Sequence, residues 1–194
     1  MSKIALTPNA SGTGVFTIAS PNSNTDRTLT LPDEAGTVDT LQRAGNVLQV
    51  VHATASDDVS TTSSTPADLP GMSVTITPTD STSKMLVMYS FHVYISSGTS
   101  SPGWAGAASR VLRDSTVVFS DDDGPQAIYA IAHYMQSTSQ RYMDNAQYSF
   151  IDEPNSSSSI VYKVQGWRSQ STGQVVTFNS YGVPGRIIVM EIAA

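Results

Sequence analysis

The clearest pattern in the chain is Lys84–Ile95 (KMLVMYSFHVYI). Its odd positions, Met85, Val87, Tyr89, Phe91, Val93 and Ile95, are all apolar or aromatic. Its even positions, Leu86, Met88, Ser90, His92 and Tyr94, are mixed. Side chains alternate across a strand, so one face suits an interior and the other is neither clearly wet nor clearly dry. Similar alternation predicts strands at Val47–His52, Met72–Thr77, Ile128–Met135, Arg141–Ile151, Ile160–Trp167, Val175–Ser180 and Arg186–Ile192. Ala108–Asp114 and Val117–Ser120 read as a hairpin turning near Asp114-Ser115. Residues 54–68 read as an extended edge or loop, and Ser96–Gly106 as a Gly/Ser/Pro loop around Trp104.

Before residue 47 the pattern changes. Lys3–Thr7, Thr13–Ala19 and Arg27–Leu31 are short alternating pieces broken by Pro8-Asn9, by the turn cluster Pro21–Asn24 and by Pro32-Asp33. Phe16, Ile18, Leu29, Leu31 and Val38 are too few to form a core, so residues 1–46 are expected to be an extended β-arm that anchors on a neighbour through those five side chains. The join at 39–46 shows no sustained helical period. Residues 47–194 are expected to form an antiparallel, jelly-roll-like β-sandwich head.

The last strand, Ile187–Ile192 (IIVMEI), is apolar on both faces except at Glu191. An antiparallel sandwich normally leaves one face of each sheet wet. Met88, Tyr94, Ile187 and Val189 therefore exceed what one interior can hide, and a contiguous apolar patch in water is unfavourable by about 25 cal/mol per Å². Self-association resolves the excess, and these four residues become candidates for the contact of a homotrimer.

Composition agrees with an all-β chain. Of 194 residues, 29 are Ser and 21 Thr, whereas Glu and Lys number three each, so a helix-rich fold lacks its usual surface residues. Charged residues make up 13% and the net charge is −6. Ten scattered Lys and Arg on an acidic chain argue against nucleic acid as a partner. Residues 1–20 hold no continuous apolar run, so no export signal is visible, and the stretch near 85–95 is too short and polar for membrane insertion.

Candidate chemistry is sparse. The absence of cysteine excludes disulfides, thiolate catalysis and cysteine zinc sites. His52, His92 and His133 lack metal-ligand spacing, and each reads as a strand residue with a satisfied hydrogen bond. Asp121-Asp122-Asp123-Gly124 reads as a solvated turn rather than a calcium loop, and Asp152-Glu153-Pro154-Asn155 as the turn after a strand. No G-x-S-x-G elbow is present, and Gly12-x-Gly14 is followed by no helix. No enzymatic activity, cofactor or metal is therefore expected. Trp104 and Trp167 read as exposed aromatics; Trp104 suits either a subunit seam or a glycan contact.

Several stretches resemble a known group of proteins. LTPNASGTGVFTIASPNSNTDRTLTLPDEAGTV (6–38), above all RTLTLPDEAGTV (27–38), resembles the N-terminal segment of virion proteins of marine and freshwater tailed phages, of the tail-fibre-like or capsid-decoration type. DLPGMSVTITPTDSTSKMLV (68–87), RVLRDSTVV (110–118), YSFIDEPNSSSSIVYKVQ (148–165) and IIVMEI (187–192) resemble the β-rich head of the same proteins. The resemblance implies a trimeric β-sandwich head, an arm attached to the virion, and a place on the capsid exterior or tail after synthesis in the host cytoplasm. A capsid decoration protein would partner the major capsid protein or another virion protein; a short tail fibre would partner a host-surface glycan. No shaft of heptads, collagen triplets or repeated modules is present, which favours decoration.

Overall fold

A computed structural model of the chain describes residues 11–15, 17, 19, 22–26, 28, 43–96, 103–121, 131–137, 140–169 and 174–194. The chain divides into two compact units, Met1–Val38 and Asp39–Ala194. The described residues of the first unit lie in no strand, although Thr13–Ala19 reads as one in sequence. The anchoring residues Phe16, Ile18, Leu29, Leu31 and Val38 lie outside the described residues.

Among the described residues the second unit is built of eleven strands and one 3-10 turn. The strands are β1 (Val47–Ala55), β2 (Val59–Thr61), β3 (Ala67–Ile76), β4 (Lys84–Ser96), β5 (Gly103–Arg113), β6 (Thr116–Ser120), β7 (Ile131–Met135), β8 (Arg141–Asp152), β9 (Ile160–Arg168), β10 (Val175–Phe178) and β11 (Gly185–Ile192). The pairing before β1 extends into the join: Gly45 N donates to Ala193 O at 2.9 Å, and Ala193 N to Asn46 O at 2.9 Å.

Two antiparallel sheets face each other. The first runs β1-β11-β4-β10-β2, with β8 paired to β4. Strand β4 meets β8 along Met85–Ser96, β11 along Lys84–Ser90 and β10 along Val93–Ser96. The second runs β3-β9-β5-β6, with β7 paired to β5. Strand β3 packs over β1 and β11, and β5 over β4. The architecture is thus an all-β sandwich.

Period-2 alternation explains the core. Met85, Val87, Tyr89, Phe91, Val93 and Ile95 all point between the sheets and are buried, as the sequence pattern requires. From the opposite sheet, Ile160, Tyr162 and Val164 on β9 meet them with Met72, Val74 and Ile76 on β3. Phe91 stacks edge-on against Phe178 with centroids 5.3 Å apart, a favoured aromatic geometry.

One buried carboxylate fixes the corner after β3. Glu191 is completely buried on the inner row of β11. Its Oε1 accepts from Thr79 N at 2.7 Å and Thr79 Oγ1 at 2.6 Å, and its Oε2 accepts from Gln49 Nε2 at 2.6 Å. Burial raises its pKa, but these hydrogen bonds to the charged form outweigh burial and leave the carboxyl below its ordinary value. A lowered folded-state pKa means stability that is present above the ordinary value of 4.5 and is lost as pH falls through the folded one. Glu191→Gln should cost about 1–3 kcal/mol at neutral pH and should flatten the acid limb of a stability-versus-pH curve measured by urea unfolding. An unchanged acid limb would place the acid sensitivity elsewhere.

Candidate interface surfaces

The last strand shows how the outer face is built. Register pairs Ile187 with Tyr89 and Val189 with Val87, so both follow the inner row of β4. Ile187 and Val189 are completely buried within one chain, which removes them as candidates for a subunit contact. The sequence reading misplaced them because Glu191 shares their row and a charged residue ordinarily marks the wet side. Here that charge is internal, and the outward residues are Arg186, Ile188, Met190 and Ile192. Met88 and Tyr94 do lie on the outer row of β4, each half-buried.

Cross-strand register arranges this outer face into rows. The first row is Val50–Met190–Leu86–Ile151, crossing β1, β11, β4 and β8, and all four residues are apolar. The second is His52–Ile188–Met88–Ser149 and the third Thr54–Arg186–Ser90–Gln147. Val50 and Ile151, at the two ends of the first row, are each 50% exposed. No described element is layered over these rows. They also hold no carboxylate, although the chain carries 16 Asp and Glu.

The third row borders a shallow open depression of about 360 Å³, lined by Met88, Ser90, Gln147, Arg186 and Ile188. It adjoins a second of about 190 Å³, which shares Ser90 and Arg186 and reaches His92, Asn145, Val183 and Pro184. His92 is buried, and its Nδ1 lies 2.6 Å from Ser180 Oγ, a structural partner as the sequence suggests for a strand histidine. Beyond it, Asn179 and Tyr181 both adopt left-handed backbone, at φ 56° and 59°. Such residues are held there by their surroundings. Asn179 N donates to His92 O at 2.8 Å, and the Tyr181 ring meets Tyr94 edge-on at 5.5 Å.

The other sheet presents an aromatic pair. Trp104 is not in a loop: β5 begins at Gly103, and Trp104 pairs across to Tyr134 on β7. The run Ala105–Ala108 is small enough to let β5 sit buried in the sheet centre despite its loop-like composition. Trp104 and Tyr134 are 52% and 47% exposed, with rings edge-to-face at 5.6 Å. Trp167 is the opposite case. It reads as exposed but is 6% exposed, with the Arg110 guanidinium 5.9 Å from its ring centroid.

Two acids that the sequence assigns to turns are engaged in hydrogen bonds of the head. Asp121, which in sequence begins a solvated turn, is buried, and its carboxylate accepts from Ser109 N at 2.7 Å and from the Ser109 hydroxyl; residues 122–124 of that turn lie outside the described residues. Ser109 Oγ also lies 2.9 Å from the Tyr89 hydroxyl, whose pKa burial pushes far up. Asp152 closes β8 rather than starting a free turn. It accepts from Arg113 Nη1 at 2.8 Å on both oxygens and from the Tyr162 hydroxyl at 2.6 Å. His133 stacks on Tyr142 at 4.2 Å. Among the described residues no three His, Asp or Glu side chains gather as metal ligands. No helix among them is long and apolar enough to cross a membrane.

No family model matches the chain, and no curated protein matches it. Among solved structures it is similar to that of infectious bursal disease virus strain Gt, at 14% identity and a TM-score of 0.35, over 87% of this chain and 42% of that one. The Gx strain structure gives 13% identity and a TM-score of 0.33 over the same shares. T=1 particles derived from infectious bursal virus give 16% and 0.30, over 84% of this chain and 39% of that one. The chain thus spans less than half the length of these structures. Likeness at these scores carries no functional argument, and the sandwich assignment rests on the strand pairing itself.

Trp104 contributes to this surface without supporting the core. Trp104→Ala should change unfolding free energy by no more than about 3 kcal/mol, the sum of an aromatic pair and the burial of half a large ring. A larger loss in urea unfolding would make the ring a structural plug and remove it as a contact for any partner.

Proposed function

We propose that this chain is a non-enzymatic structural protein of a tailed-phage virion, a homotrimeric capsid decoration protein. Its residues 1–46 clamp the capsid surface, and its β-sandwich head projects outward. The observation that carries this reading is a head with a complete internal core that still turns a row of four apolar side chains outward. Such a face favours association with other protein surface. The resemblance of RTLTLPDEAGTV (27–38) to phage virion arms supplies the setting. The buried state of Asp121 and Ser109 supports a structural role, because this acid–hydroxyl pair is sealed in the core and spent on holding β5 to the end of β6.

The mechanism is additive. A single arm offers few anchors, Phe16, Ile18, Leu29, Leu31 and Val38, each contributing on the order of 1–3 kcal/mol when buried. Three arms held on one trimer raise the effective concentration of the second and third contacts, so avidity exceeds any single affinity. Strand addition to a capsid neighbour suits the arm's alternating, weakly charged pieces.

A second reading is favoured by one observation, the exposed Trp104–Tyr134 pair. Aromatic faces stack on sugars, which fits a short tail fibre recognising a host-surface glycan. Copy number separates the two readings. On a stained gel of purified particles, decoration requires a band comparable with the major shell protein, whereas a fibre gives a handful of copies. A chain reduced to Asp39–Ala194 should keep the oligomer and lose particle binding. Undiminished binding by that chain would remove the arm as the anchor.

A further inference from the structure

We infer that the outer face of the β1-β11-β4-β8 sheet is where copies of this chain meet, so that the subunit contact is centred on Leu86, Met88, Ile188 and Met190. This rests on the homotrimer reading above and specifies its contact. The first observation is continuity. Register places these four residues in two adjacent rows on neighbouring strands, which makes one apolar surface rather than scattered residues. The second is size. Strands stand about 4.8 Å apart and rise about 3.3 Å per residue, so four strands and three rows cover roughly 400 Å². Two neighbouring copies would bury roughly 800 Å² together, short of the about 1,000 Å² of a specific contact standing alone, so each contact is weak and a closed ring of them has to add up.

The third observation selects the occupant. Two copies of a chain of charge −6 repel each other over most approaches. The three rows of this face hold no carboxylate, and their only full charge is the cationic Arg186, at the border. It is therefore an approach along which identical acidic bodies meet with little repulsion. Two of the four central residues are methionines, whose unbranched chains adapt to the different surface that a neighbouring copy presents in a three-fold ring.

The test uses the full chain. Wild type should be oligomeric by light scattering at micromolar concentration. Met190→Arg should weaken association at least tenfold while keeping the strand signal in circular dichroism, because its half-buried stem can carry the guanidinium outward. Val117→Arg, at an exposed site on β6 of the other sheet, should leave the mass unchanged. The chain has no cysteine, so Ser149→Cys and His52→Cys add single reporters at exposed positions of the second row. Their reaction with a bulky maleimide should be at least tenfold slower in the oligomer than after dilution to single copies, whereas Val117→Cys should react equally fast in both. A folded Met190→Arg that keeps the wild-type mass, or unprotected reporters in an intact oligomer, would overturn this face and leave the oligomer standing. If Met190→Arg fails to fold, the reporters decide. Protection that persists in single copies would mean that the chain covers the face itself. A wild type that is monomeric would sink both this inference and the homotrimer it rests on.

Discussion

Strand β4 sets the register of the whole head. It is paired on one edge by β8 along Met85–Ser96, and on the other by β11 and then by β10. Side chains alternate with a period of two, so a slip of one residue would exchange its buried row for its outer row. The inner row is wholly apolar, and the outer row holds Ser90 and His92. The slip would put those two polar groups into a dry interior, at a cost of about 1–3 kcal/mol for each unsatisfied group. Once β4 is fixed, the faces of β8, β10 and β11 follow, and β1 follows through β11.

Buried acids reinforce that register. Asp121 and Glu191 are buried and Asp152 partly so, and each accepts hydrogen bonds from a separate part of the chain. A buried carboxylate is tolerable only when such donors are in place. Glu191 is the clearest, because it joins β11 to Gln49 on β1 and to Thr79 in the loop after β3. These acids penalise wrong arrangements more than they strengthen the right one, since a shifted strand would strand a charge. This also explains how a chain with 13% charged residues places some of its few acids inside.

Much of the fold was legible in sequence, because alternation over long runs is hard to mimic. Lys84–Ile95, Ile160–Trp167 and the Asp114-Ser115 turn all lie where the pattern puts them, and Asp114 holds the left-handed conformation that such turns favour. The misplaced residues share a cause. Trp104, Trp167, Asp121, Ile187 and Val189 depend on what lies across the sandwich or beside the strand, and local pattern does not carry that information. Glu191 made a buried row look wet, Asp121 made a buried corner look like a turn, and the small residues around Trp104 made a central strand look like a loop. Of the candidate site, Met88 and Tyr94 were readable as second-face residues of β4. Their outward neighbours Ile188 and Met190 were hidden by the wrong phase for β11. The five arm anchors lie outside the described residues, and the structure adds nothing to their reading.

A Ser/Thr-rich, weakly charged exterior and an outward apolar row belong to one design problem. Heavy charge would keep single copies apart, and self-repulsion would grow with every copy brought close. Hydroxyl side chains hydrate the remaining surface without adding that field. The outer row can then stay modest in area, because the opposing electrostatic term is small. In the proposed contact Met88, Met190, Ile188 and Leu86 would have to supply only the surplus over the entropy lost on association, while Glu191 and its inward neighbours keep the same strands from turning that row inward. The buried acid and the outward Met190 on β11 are thus two halves of one constraint: the first fixes which side of the strand faces out, and the second helps make that side apolar.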